Sequence, residues 1–162
     1  MNLSQDEIKT RFKSRGLKVT PQRAAIYKAL AETTIHPTAD DLYQQVARDY
    51  PMISTNTVYY TLASLKEAGL VKEVNYWHDR ARFDANVTPH HHFVCLGCRA
   101  IVDIEDPSLN RLKSMARLPK GFRVLRHEVE FYGYCASCQG QRARAAATTS
   151  RIHKTHFKRR NP

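Results

Sequence analysis

No run of apolar residues in this chain approaches the roughly 18 that a membrane-spanning helix requires. The opening stretch, MNLSQDEIKTRFKSRG, has no apolar segment of the kind a secretory signal carries. Both absences point to a cytoplasmic protein without a membrane partner, in a compartment where thiols stay reduced. No nucleophile is paired with a base in a readable motif, so a regulator or binding protein is expected, not an enzyme. Acidic residues are missing from position 141 onward, where seven Lys/Arg stand with no Asp/Glu. That tail supplies +7 of the formal net charge of +11. Residues 1–83 carry twelve basic groups against nine acidic, and 84–140 carry seven against six. The body is therefore only mildly basic, with its excess in residues 1–28, and composition alone does not establish a nucleic-acid partner.

What is present begins with helix punctuation. With 162 residues, 42% of them hydrophobic, the chain can bury one core or two small ones. Ser4 and Glu7 form a capping box ahead of Ile8 and Phe12, and Gly16 ends that helix. Thr20 caps a second helix with Pro21 at its first position, Thr38 caps a third, and Ser54 opens a fourth that Gly69 closes. LVKEVNYW and ARFD then read as a small hairpin around His78-Asp79-Arg80. Helices followed by a hairpin make a winged-helix form of the helix-turn-helix, with the fourth helix in the reading position. Beyond it, HHHFVCLGC and AIVDIED read as strands, SLNRLKSMARL as an amphipathic helix and FRVLRHEVEFYGYC as a long alternating strand. The expected fold class is α+β. A winged-helix DNA-binding domain occupies 1–84, a small α/β dimerisation and metal-binding domain 85–139, and a basic, disordered tail 140–162.

On the fourth helix Val58, Leu62 and Leu65 mark the buried stripe. Asn56, Thr57 and Tyr60 lie on the opposite face with Tyr59 at its edge, and Arg23 belongs to the preceding basic helices. Hydrogen-bonding residues near a helix N-terminus suit base edges and phosphates. A plain amphipathic helix with a solvated face would carry similar residues.

Cys95-x2-Cys98 and Cys135-x2-Cys138 are matched pairs at strand ends, able to converge on one tetrahedral ion. Four thiolates favour zinc in a closed structural site. A redox dithiol or a four-thiolate iron centre are the rivals, the first weakened because thioredoxin-type pairs sit at a helix N-terminus. With the cysteines allocated, His90 and His92 would share one face of a strand and His91 the other. Asp84 and Asp103 stand nearby in sequence, and His36 is the best candidate from the first half. Three imidazoles with two carboxylates would suit Fe2+ or Mn2+. Spacing alone leaves open that these residues form a solvent-exposed polar strand.

The segments LKVTPQR, HPTADDLY, TNTVYYTLASLKEAGLV, RFD, HHHFVCLGC and HEVEFYGYCASC together resemble the ferric uptake regulator (Fur) family of dimeric bacterial metalloregulators, over residues 5–139. Within it the likeness is greatest to the peroxide-regulator (PerR) subgroup. The resemblance implies a regulatory Fe2+ or Mn2+ site at His36, Asp84, His90, His92 and Asp103, and structural Zn2+ at Cys95, Cys98, Cys135 and Cys138. Asp84 is informative, because iron-sensing members commonly carry Glu there. It further implies a homodimer that grips a palindromic operator in double-stranded DNA when metal is bound. Iron-driven oxidation of His36 or His90 by hydrogen peroxide then releases the repressor, whereas a manganese form resists. Under this scheme the cysteines are structural. A sensor working by reversible Fe/Mn loss and a zinc-thiol redox sensor are the alternatives. Two departures stand out. Tyr60 occupies a position where many members have Arg, and Pro89 and Asn110 do not suit the extra metal site that some iron regulators build with the counterparts of His91 and His127.

Overall fold

The computed structural model describes residues 3–74, 80–112 and 117–141. Contacts divide them into two compact units: Met1–His90 with Arg123–His127, and His91–Phe122 with the described residues from Glu128 onward. The expected turn of the hairpin at 78–80 lies largely outside the described residues, as does the tail beyond 141.

The first unit contains α1 (Gln5–Ser14), α2 (Pro21–Ala31), α3 (Ala39–Val46), α4 (Thr55–Glu67) and the strands β1 (Lys72–Val74) and β2 (Arg82–Asp84). Each helix starts where its cap predicts. The Ser4–Glu7 box is reciprocal, Thr20 accepts from the Arg23 N–H ahead of Pro21, and Ser54 accepts from the Thr57 N–H. Thr38 makes a second full box with Asp41, whose carboxyl is held below its ordinary pKa mainly by the Thr38 hydroxyl and N–H. Caps of this kind each contribute about 1 kcal/mol. The helices bury Ile8, Phe12, Ile26, Tyr27, Leu30, Leu42, Val58, Leu62 and Leu65 almost completely, and Phe83 of β2 joins the same core. Burial of such a side chain is worth roughly 1.5–3 kcal/mol, so this unit has a substantial apolar drive. β1 and β2 pair antiparallel, placing the hairpin after α4 as a winged helix requires.

The second unit is a three-stranded sheet, β3 (His91–Cys95), β4 (Ile101–Ile104) and β5 (Glu130–Gly133), in the order β4-β3-β5. β3 runs antiparallel to β4 and parallel to β5. Its buried apolar residues are few: Val94, Cys95, Ile101 and Cys138 among the described residues. The long strand expected from 122 starts only at Glu130, and Phe122 and Leu125 are exposed. The reason is its partner's length. β3 begins at His91 and its His92 already faces Glu130, so residues further upstream have no ladder to join. Of the helix expected over 108–118, Leu109–Arg111 form a 3-10 turn and Leu112 is helical, while 113–116 lie outside the described residues. No described helix is long and apolar enough to cross a membrane.

Candidate metal centres

The four cysteines are free thiols whose sulfur atoms all lie within 4.8 Å of one another. Cys98 and Cys135 are 3.8 Å apart, close to the edge of a tetrahedron built on zinc–sulfur bonds of about 2.3 Å. A tight turn delivers the first pair: the Arg99 N–H donates to the Cys95 carbonyl and Arg99 takes a left-handed φ of 61°. Gly97 is required there by space. A Cβ at this position would lie 2.7 Å from the Cys138 sulfur. The second pair corrects the expectation of two matched strand ends. Cys135 follows β5 but opens a helical turn over 136–141, and the Gln139 N–H donates to the Cys135 carbonyl. The case for zinc therefore rests on the convergence of four sulfurs.

Electrostatics point the same way. N–H groups of Cys135 and then Cys98, directed at the Cys95 sulfur, bring its pKa down to about 6. Cys138 is pushed up to about 12, chiefly by the neighbouring Cys135 thiol and then by burial. Thiolates crowded this closely cannot all ionise without a cation among them, which a divalent ion supplies. The donor set fits zinc.

The first unit assembles a separate group. His36, Asp84 and His90 are all buried. Asp84 Oδ2 lies 3.1 Å from His90 Nε2 and 4.0 Å from His36 Nε2. The other Asp84 oxygen accepts from the Asn86 N–H at 2.7 Å. His90 Nδ1 stands 2.8 Å from the Thr88 carbonyl, which can only accept, so Nδ1 carries the hydrogen. Nε2 is then the ring atom that faces the carboxylate oxygen, an arrangement that a proton or a metal ion between them would satisfy. A backbone acceptor that fixes the tautomer is the support metal-ligating histidines ordinarily receive. Two nitrogens facing one carboxylate oxygen match the mixed donors that Fe2+ and Mn2+ favour.

In the second unit His92 and Asp103 are directly opposed across β3 and β4, with Nε2 and Oδ1 3.7 Å apart. His91 is nearly fully buried and its Nδ1 accepts from the Val129 N–H at 3.0 Å. The stretch is thus no solvent-exposed polar strand, and its middle histidine ties β3 to the segment entering β5. Sequence reasoning missed this role, along with the Thr88 carbonyl and the Asn86 N–H. Only the short spacing of Asn86 and Thr88 to Asp84 and His90 could have suggested them.

On α4, Asn56, Tyr59 and Tyr60 are exposed and Thr57 is half-buried, opposite the buried Val58, Leu62 and Leu65. The Tyr59 hydroxyl lies 3.5 Å from Asp40 of α3. Arg23 is half-buried and donates to the Lys18 carbonyl at 2.7 Å, turned back on its own unit.

The ferric uptake regulator family model matches residues 14–132. The peroxide-responsive repressor PerR of Staphylococcus aureus is 41% identical over 128 residues, covering 79% of this chain and 86% of that protein. The crystal structure of the Campylobacter jejuni peroxide stress regulator is similar at a TM-score of 0.64, with 30% identity, 84% of this chain and all of that chain covered. The Pseudomonas aeruginosa ferric uptake regulator with manganese is similar at 0.66, with 27% identity over 79% of this chain and 97% of that one. A winged helix with an exposed polar face on α4, a four-thiol knuckle and buried imidazole–carboxylate groups thus accompany a family match over most of the chain, and the chain belongs to the ferric uptake regulator family as a metal-responsive repressor.

Proposed function

We propose that this chain represses transcription as a cytoplasmic homodimer on a palindromic operator and senses hydrogen peroxide through its regulatory metal. His36, Asp84 and His90 of the first unit and His92 and Asp103 of the second complete one Fe2+ or Mn2+ site. The observation that carries this reading is the Asp84 oxygen faced by two imidazole Nε2 atoms, one of them with its tautomer fixed by Thr88. The chemistry of the donors supports it, and so does the peroxide-responsive relative at 41% identity. His90 and His92 are two residues apart, so one ion bound by both couples the reading unit to the sheet unit. A second copy suits the sheet: Val102, Phe93 and Phe131 align across three strands, with Val102 and Phe131 exposed. Asn56, Thr57, Tyr59 and Tyr60 are the residues proposed to meet DNA, with Arg23 as a neighbouring cation.

Fe2+, when bound, would relay to the peroxide the two electrons that the ring gives up and be regenerated, chemistry that Mn2+ would perform poorly. The protein contributes the group that is spent: a ligand imidazole, at His36 or His90, exchanges its Cε1–H for C=O. The ring and one H2O2 become 2-oxo-histidine and one H2O, so atoms and electrons balance with no further oxidant. The altered ring is a poorer donor, the ion leaves, and the two units lose their common tether.

The test is to load anaerobic protein with Fe2+ or Mn2+, add peroxide, and follow operator binding together with peptide masses. The expected result is one added oxygen at His36 or His90 and loss of DNA binding in the iron form alone. Zinc release with disulfide formation before any histidine change would replace this reading with a thiol sensor. Unaltered histidines with DNA binding retained would replace it with a sensor of metal supply.

A further inference from the structure

Of the buried candidate ligands, His36 alone has a left-handed backbone, at φ 50°, a conformation that non-glycine residues adopt only when their surroundings hold them there. It also precedes Pro37, whose ring further narrows the backbone choices of the residue before it. Something must fasten this loop, and β2 does so. The Arg82 guanidinium donates to the His36 carbonyl at 3.1 Å, the Phe83 N–H donates to the Pro37 carbonyl at 3.0 Å, and Arg82 bridges Thr38. Along β2 the side chains alternate. Phe83 enters the hydrophobic core, while Arg82 and Asp84 share the other face. One short strand thus supplies both a candidate ligand and the clamp on the loop that carries another.

We propose that Arg82 is a positioning residue for the regulatory metal: by gripping the His36 carbonyl it holds the His36 imidazole against Asp84. The inference rests on the reading of His36 and Asp84 as ligands. Arg82 also lies close enough to Asp41 of α3 to help lower its pKa, as a smaller influence than Thr38. A purely structural role would end there. A positioning role makes Arg82 matter to the metal only while His36 is present.

The experiment measures Mn2+ affinity of the full-length, zinc-loaded protein by equilibrium dialysis for wild type, R82M, R82K, H36A and the double variants R82M/H36A and R82K/H36A. R82M is expected to weaken binding by about 10–100-fold, the range typical of residues that orient a ligand, with R82K in between and zinc content unchanged. In the H36A background either substitution should add less than about a twofold loss, because coupled residues are not additive. Affinity unchanged in R82M, or an equal loss with and without His36, would overturn the inference. Should R82M fold poorly, the R82K cycle decides by the same criterion. Wild type that does not bind Mn2+, or H36A that binds as wild type does, would instead overturn the ligand assignment and this inference with it.

Discussion

Strand β3 and the residue before it carry candidate donors for two kinds of metal chemistry, and the contrast between them is instructive. Cys95 at its end belongs to a four-thiol group contained in one unit, with Gly97 leaving room for Cys138 to close the cluster. His90 and His92 at its start belong to different units, each facing a carboxylate of its own. A site whose donors all lie in one unit can hold a fold together. The proposed regulatory site, drawing donors from both units, could be lost while each remains folded, as a switch requires. The units differ accordingly: the first has a core of helices, whereas the second buries few apolar residues among those described and is the one a staple would serve.

The most drastic way to sharpen this comparison is to remove the staple. Cys95→Ser, or zinc removal by a strong chelator, should unfold the β3–β5 sheet while helices α1–α4 persist. Hydrogen exchange with zinc quantification checks this, and the effect should be large because structural zinc contributes on the order of 10 kcal/mol. His90→Ala should act in the opposite sense. Mn2+ affinity should fall more than about 100-fold, beyond the usual cost of losing an outer partner, while zinc content and thermal midpoint stay near wild type. Gly97→Ala tests the closed site more gently. The added methyl meets the Cys138 sulfur, and such overpacking should cost about 1–3 kcal/mol, read as zinc loss at lower chelator concentration. The smallest effect is expected for His91→Ala. Leaving the half-buried Val129 N–H without its acceptor should cost about 1–2 kcal/mol in urea unfolding with Mn2+ affinity unchanged. Equal loss of metal in His90→Ala and His91→Ala would break the distinction between neighbouring histidines.

Much of the fold was legible because its signals are local. Ser4, Thr20, Thr38 and Ser54 mark helix starts by hydrogen bonds three residues long, and the α4 stripe follows from helical spacing alone. The ends of β5 were not legible, since they depend on how far β3 extends on the other side of a parallel ladder. Nothing local says that Phe122 and Leu125, in a run that reads as an extended strand, find no partner strand among the described residues. The candidate ligands were readable as residue types, and the cysteine pairs as a motif. Their supports were not. Thr88 acts through a carbonyl, Asn86 through an N–H, and Arg82 through a contact with a residue 46 positions away. Backbone groups carry no mark in a sequence, and His91 looked expendable because burial is a property of the folded sheet.

If the His36–Asp84–His90 group and the His92–Asp103 pair serve one ion, as proposed, both carboxylates contribute to a single binding event. The most direct measurement is Mn2+ stoichiometry and affinity in zinc-loaded protein, compared among wild type, Asp84→Ala and Asp103→Ala. A single Mn2+ per chain is expected, with both substitutions weakening the same binding event although the two carboxylates belong to different units. Two independent Mn2+ sites, or an Asp103→Ala variant that binds as wild type does, would contradict it.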